Sequence, residues 1–455
     1  MNHWGKKLLH YGELWVIVWV IVWTLMISPV VSYSAGTPMA SGQAAAEMAL
    51  RKEPKVLTLE EAVQIALENH PNIRAAKERV GAQQAVLGQQ MAAYYPTVNF
   101  SNTYRTTTQS GTVTTQAEAF DFFSSQANFN MTLYNFGKRE GAVESARDTL
   151  EATGYNYKTA VDAVVLGVKQ AYYGYLQARA IVNVREETVK SRELVARQAR
   201  GFYEVGTRAR IDVARAESNL FTAQADLIAA QNAMNVAWVT LKNALGVRDF
   251  PEQPLAEQVT ITLTPYKLDQ ARDIAFAQRP ELRSFEAQRK AQDQNIATAR
   301  RGHLPDLIFD ASYGRRNTSR GGNTFPLQPT WQVQLSLNIP IFDGFRTTNR
   351  VEETLRNYHV ITAQEEQQRQ QVALEVEQSY LRLAELQERI KANEAAANAA
   401  KENLDLANGR YQVGVGNIIE VTDAQTLYTE AQTTFVRALY DYKIAEAQLV
   451  RAMGQ

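Results

Sequence analysis

The chain carries one pattern twice, about 208 residues apart, and that duplication limits the folds open to it. Leu59-x2-Ala62-x3-Ala66-x4-Pro71-x-Ile73 recurs as Leu268-x2-Ala271-x3-Ala275-x4-Pro280-x-Leu282, each position offset by 209, and Pro96 matches Pro305. Tyr203-x-Val205-Gly206-x5-Asp212-Val213 recurs as Tyr411-x-Val413-Gly414-x5-Glu420-Val421, offset by 208, as does Ala244-Leu245-Gly246 by Ala452-Met453-Gly454. Solenoid repeats run to tens of residues, so this is a duplicated half-molecule instead. Spacing that barely drifts over four landmarks means that element lengths are constrained. Two halves lying side by side impose that constraint.

The amino terminus reads as a targeting segment. Lys6 and Lys7 precede an almost unbroken apolar run from Leu14 to Val31, and Ser32-x-Ser34 follows as a cleavage signature. Residues 1–34 are expected to be a signal peptide, with an uncleaved membrane anchor as the alternative. The chain has 48 basic and 48 acidic residues, so no charge imbalance points to nucleic acid. It has no cysteine, which excludes disulfides and thiolate chemistry. His70, His303 and His359 are scattered, and no phosphate loop, nucleophile elbow or zinc-protease motif is present. The sequence therefore indicates no enzyme, cofactor or metal site.

Residues 35–56 read as a linker, 57–250 as the first repeat, 251–265 as a second linker and 266–455 as the second repeat. Each repeat runs helix, strand, strand, long helix, shorter helix. Leu57–Ala93 and Tyr266–Gly302 are expected to be helical with breaks at Pro71 and Pro280, because proline removes a donor and clashes with the preceding turn. The long helices are expected at Lys138–Arg200 and Phe345–Asn408. In the second, apolar or small residues alternate by four and three: Val372, Val376, Ser379, Leu383, Leu386, Ile390, Asn393, Ala397, Ala400, Leu404 and Ala407. That is a heptad seam. A helix of this length spans roughly 95 Å. Two shorter helices stacked end to end would match it.

The strands alternate apolar and polar. Thr330–Phe342 sets Trp331, Val333, Leu335, Leu337, Ile339 and Ile341 against Gln332, Gln334, Ser336 and Asn338. Thr97–Thr107, Gln126–Asn135 and Leu307–Tyr313 read the same way, with Ser110–Ser125 and Asn317–Gln328 expected as loops. Strands of about ten residues, apolar outside and amide or hydroxyl inside, are the signature of a transmembrane β-barrel. A soluble sandwich also alternates. Four strands cannot close a membrane barrel, and an open edge cannot face lipid. The expected fold is therefore mostly α with a four-strand contribution to a transmembrane β-barrel. Three copies would give twelve strands and twelve helical columns, four per chain.

The paired architecture, the two proline breaks, the turns Tyr203–Val213 and Tyr411–Val421, and Asn135-Phe136-Gly137 and Asp343-Gly344 at the strand-to-helix crossings together resemble the TolC family of outer-membrane efflux proteins. The resemblance covers about residues 57–454. It implies a homotrimer in the outer membrane of a Gram-negative bacterium, embedded in its lipid, whose twelve-strand barrel continues into a long periplasmic α-helical tunnel and serves as the exit duct of an efflux or type I secretion system. It implies as partners a periplasmic adaptor (membrane fusion protein) and an inner-membrane pump or ABC transporter. It places the adaptor-contacting tips at Tyr203, Val205, Gly206, Arg208, Tyr411, Val413 and Gly414. It places the channel constriction at Glu420, Asp423 and Asp212. Glutamate stands at Glu420 where aspartate is often seen, and Gly416-Asn417 stand where some members carry a gating arginine. From the residues alone, Asp212 and Glu420 also suit a role at a helix start, where a carboxylate favours the dipole. The alternative reading is a trimeric coiled-coil surface or adhesive protein.

Overall fold

The structure, a computed structural model, describes residues 56–109, 118–257, 267–320 and 326–455. The expected signal peptide lies outside the described residues, as do nearly all of the first linker and most of the second. Two short helices open each repeat: α1 (Leu59–Asn69) and α2 (Pro71–Met91) in the first. Thr58 and Glu61 start α1 with reciprocal side-chain to backbone bonds of 3.2 and 3.3 Å, which satisfy two otherwise orphaned N–H groups. Pro71 occupies the first position of α2, where its missing N–H costs nothing.

The sheet follows, with β1 (Thr97–Gln109) and β2 (Glu118–Tyr134), and then the 67-residue α3 (Lys138–Glu204) and α4 (Arg210–Leu245). The second repeat gives α5 (Leu268–Gln278), α6 (Pro280–Arg300), β3 (Asp306–Arg320), β4 (Gln328–Asn338), the 67-residue α7 (Arg346–Gln412) and α8 (Ile418–Ala452). Both long helices run about four residues past their expected ends. Each spans roughly 100 Å.

The helices form a wall. α3 packs between α2 and α4 on one side and α6 and α8 on the other, and α7 packs on α6 and α8. Between Val372 and Ala407 every buried residue of α7 lies on the heptad seam, including Leu383, Leu386 and Ile390. The shorter helices do stack. α4 ends at Gly246 against His70, and α8 ends near Gly454 against Arg279, so each meeting point is the proline break rather than the free end of the opening helix. There the buried Arg279 pairs with Glu281 and Glu375, and Arg451 bridges the same two carboxylates at 3.1 and 3.2 Å. In the first repeat the Tyr172 hydroxyl reaches the carbonyls of Leu57 and Ala256, each at 3.0 Å. Burial pushes its pKa up to about 12, so it stays a donor throughout the physiological range.

The four strands form one antiparallel sheet in the order β1-β2-β3-β4. Its polar face is a ladder of amides: Gln126 donates to Asn128, Asn128 to Ser101, and Asn130 to Asp310. On β4, Gln332 donates to Gln334 and Gln334 to Ser336. The other face exposes Val98, Phe100, Trp331, Val333, Leu335 and Leu337. Within the sheet β1 and β4 each pair on one side only. Three boundaries differ clearly from expectation. β3 runs past Tyr313 to Arg320, inside the expected loop Asn317–Gln328, because Arg316–Arg320 pairs with Phe120–Ser124. β2 begins at Glu118, inside the expected loop, because Glu118–Ser124 pairs with Thr103–Gln109. β4 ends at Asn338, two residues before Pro340, which has no N–H to give a ladder. Among the described residues no helix is long and apolar enough to cross a membrane.

Candidate functional site: the paired helical tips

Far from the sheet, each long helix reverses into the next through a short turn. Gly206 (φ 79°) and Gly414 (φ 83°) take left-handed backbone there. The Gly206 N–H donates to the Tyr203 carbonyl (2.9 Å) and the Thr207 N–H to Phe202 (2.9 Å). Gly414 donates to Tyr411 (3.1 Å) and Val415 to Arg410 (3.1 Å) in the same way. Each pair of bonds is the glycine-dependent cap that satisfies the last carbonyls of a helix. Val205 and Val413 stand 71% and 74% exposed at the apices, and Tyr203 is also exposed.

Arg208 joins the two turns. It is half-buried, and its guanidinium donates to the carbonyls of Gly414, at 3.1 Å, and Gly416. It also lies over the Tyr411 ring, 5.8 Å from the centroid. The Gly416 carbonyl on the second turn thus accepts from an arginine on the first. Tyr411 corrects an expectation: it is 1% exposed and packs edge-on against Phe202 at 5.6 Å, so it supports the tip from within and offers no contact surface. Burial and the nearby Asp212 carboxylate raise its pKa, and Arg208 opposes them.

The acids separate into different roles. Asp212 is the third residue of α4, half-buried, close enough to act on Tyr411. Glu420 is the third residue of α8, but the cap of that helix is Asn417, whose side chain accepts from the Glu420 N–H at 2.9 Å. The Glu420 carboxylate is therefore not needed for capping. It pairs instead with Arg410, at 3.3 Å, in an exposed ion pair across the turn. Asp423 is exposed and lines the groove between α7 and α8 together with Glu420, Arg410 and Leu427. Sequence reasoning missed Arg410 and Asn417, although a basic last turn and an Asn just before an apolar run are both local signals.

Above the tips the α3–α8 contact is polar. Thr188 meets Thr429 at 3.1 Å, Gln425 donates to Ser191 at 2.8 Å, and Arg192 donates to Thr426 at 2.9 Å. The apolar part of the tip core is largely alanine and valine, including Val195, Ala196, Ala199, Ala407 and Val421. Such a contact buries little apolar area, so sliding α8 along α3 costs less than it would in a leucine seam.

A sheet that is apolar on one face and open at both edges, standing on helices of this length that end in paired capped turns, defines the protomer of an outer-membrane channel with a periplasmic helical tunnel. The chain belongs to the outer membrane efflux protein family, which it matches over residues 62–247 and again over 271–455. It is 24% identical over 416 residues to the probable efflux pump outer membrane protein TtgC of Pseudomonas putida, covering 90% of this chain and 86% of that one. It is 25% identical over 399 residues to the outer membrane protein TolC of Vibrio cholerae, covering 86% and 89%. The crystal structure of a membrane protein from Pseudomonas aeruginosa has the same fold, with a TM-score of 0.76 at 24% identity, covering 87% of this chain and 93% of that one. The protein is an outer-membrane efflux channel, and neither its fold nor its relatives favour the adhesive alternative. The relatives are channels rather than enzymes.

Proposed function

We propose that three copies of this chain close a twelve-stranded barrel and tunnel, and that this trimer is the exit duct for small toxic compounds. A periplasmic adaptor and an inner-membrane pump would deliver them. The observation that carries the trimer is the pair of open edges, β1 and β4, on a sheet whose outer face is apolar. Unpaired backbone in lipid costs several kcal/mol per group, so each edge needs a neighbour. Exposed Phe221, Ile228, Val236 and Val239 on α4, and Leu374, Leu381 and Leu406 on α7, supply matching apolar flanks below. Native mass measurement in mild detergent should give a trimer; monomers alone would refute the reading.

In this reading Tyr203, Val205, Gly206, Arg208, Val413 and Gly414 form the surface that meets the adaptor, and Glu420, Asp423 and Asp212 line the constriction. Arg208 then holds the two turns of a protomer together while the duct is closed. A hydrogen bond from a charged group is worth roughly 1.5–3 kcal/mol, so its loss shifts a two-state equilibrium about tenfold or more. Arg208→Ala is accordingly expected to raise the ratio of open to closed time in single-channel recordings by that factor. An unchanged ratio would show that the turns open independently of this contact.

A further inference from the structure

The polar face of the sheet changes chemistry along its length. Near the helices it is the amide ladder of Asn130, Asn128 and Gln126, joined by Ser101. Past Ser124 it carries arginine and phenylalanine instead. Gln126 pairs with Ser101 on one side and Gly314 on the other. Two residues further along the same ladder, Ser124 pairs with Thr103 and Arg316; two further again, Phe122 pairs with Arg105 and Thr318. Side chains alternate with period two, and directly paired residues share a face. Arg105 and Arg316 therefore stand on the amide face, at the end of the sheet remote from α3 and α7.

Both arginines are exposed, and neither pairs with an acid among the described residues. The Arg105 guanidinium lies over the Phe122 ring, 5.5 Å from its centroid. The negative face of the ring attracts the cation and keeps it on this side of the sheet. The neighbouring acids are engaged elsewhere. Asp121 falls on the opposite face, where Tyr104 and Thr106 donate to it at 3.0 and 2.6 Å. Asp310 lies down the ladder and accepts from Asn130 at 2.6 Å. At the strand ends the register adds one basic and one acidic position, Arg320 and Glu118, which offset one another. The uncompensated charge of this end is that of Arg105 and Arg316.

We propose that Arg105 and Arg316 form a cationic girdle lining the outer mouth of the duct, which binds multivalent anions arriving from outside the cell. The inference rests on the trimer reading, which turns the amide face toward the lumen and gathers three copies of each arginine around one axis. Low-dielectric walls focus the field of such a ring, and rings of arginine favour anions. The planar guanidinium fork matches the oxygens of a phosphate group, so phosphate esters are the ligand class. The ion path is then negative at the tips and positive at the mouth, with the uncharged amide ladder below the mouth.

The test uses the mature trimer in a planar bilayer. Protein added to one chamber keeps its large helical domain there, so the barrel mouth faces the other. Inositol hexakisphosphate added on the mouth side, under a voltage that drives anions inward, should block the wild-type current. Arg105→Gln with Arg316→Gln should raise the half-blocking concentration roughly tenfold or more. Each single change should raise it by less, and these carry the same test where the double variant fails to assemble. Arg315→Gln removes the same charge one residue away on the opposite face and should leave the block unchanged. A conducting wild-type trimer that is not blocked, or is blocked equally from the tip side, would overturn the proposal and leave the duct intact. So would unchanged block in the arginine variants, or an equal loss in Arg315→Gln. A wild-type protein that stays monomeric and forms no channels would overturn the trimer reading as well.

Discussion

Gly246→Ala should destabilise the helical domain by roughly 3 kcal/mol, whereas Gly414→Ala should cost only about 1 kcal/mol, although both glycines have φ near +80°. The difference lies in what each added Cβ would meet. At Gly246 it would fall 2.6 Å from the Cα and 3.0 Å from the N of His70, which are backbone atoms held by the helix on either side. Nothing lies within 4 Å of the same atom at Gly414. The first substitution must push α4 off the α1–α2 junction, and the second strains one residue at an exposed apex. Thermal melts of the trimer followed by helical circular dichroism separate them: a large fall in midpoint for the first, a small one for the second. Function should follow the opposite order. Gly414→Val puts a β-branched residue at positive φ in the proposed adaptor surface, so dye efflux should be lost while the trimer persists. Equal midpoints for the two alanine variants would mean that the stacked helices are not seated as described. Normal efflux in Gly414→Val would remove the second turn from the adaptor surface.

Much of this architecture was legible because its residues carry period. Pro71 and Pro280 mark breaks through a missing donor, and the α7 seam marks a buried face through its alternation of four and three. The same seam shows where the reading stopped short. Stepping four residues beyond Ala407 reaches Tyr411, which the heptad therefore places inside; expecting it on the tip surface followed from the family resemblance, which assigned the whole turn to the adaptor contact. The start of β2 had no such signal. Phe120, Asp121, Phe122 and Phe123 do not alternate, and only the pairing with β1 makes them strand. The Arg208 contact was illegible for a different reason. Its acceptors are backbone carbonyls on the other turn, more than 200 residues away, and any sequence offers carbonyls. Local chemistry can thus say that both turns end in glycine caps, but not that one turn holds the other.

Glu420→Gln combined with Asp423→Asn should lower the cation selectivity of the channel several-fold, and Arg410→Gln should raise it. The two acids are three residues apart on α8, exposed, and line one groove with Arg410. A threefold axis near this groove would gather six carboxylates and three arginines, leaving an excess of negative charge around the opening. At an effective dielectric near that of a protein surface, each uncompensated charge several ångströms from a passing ion contributes on the order of 1 kcal/mol. Such a charge alters a permeability ratio by several-fold and favours block by multivalent cations from the periplasmic side. The Arg410–Glu420 pair is exposed, so breaking it should cost about 0–1 kcal/mol and leave the fold intact. Asn417 continues to cap α8 in every variant, so helix loss cannot account for a change. Reversal potentials across a planar bilayer under a salt gradient read the result directly. Opposite shifts for the acid pair and for Arg410 require that all three face the ion path. If none of the variants moves the reversal potential, the constriction lies elsewhere, and Glu420 serves only to tie α8 to the end of α7.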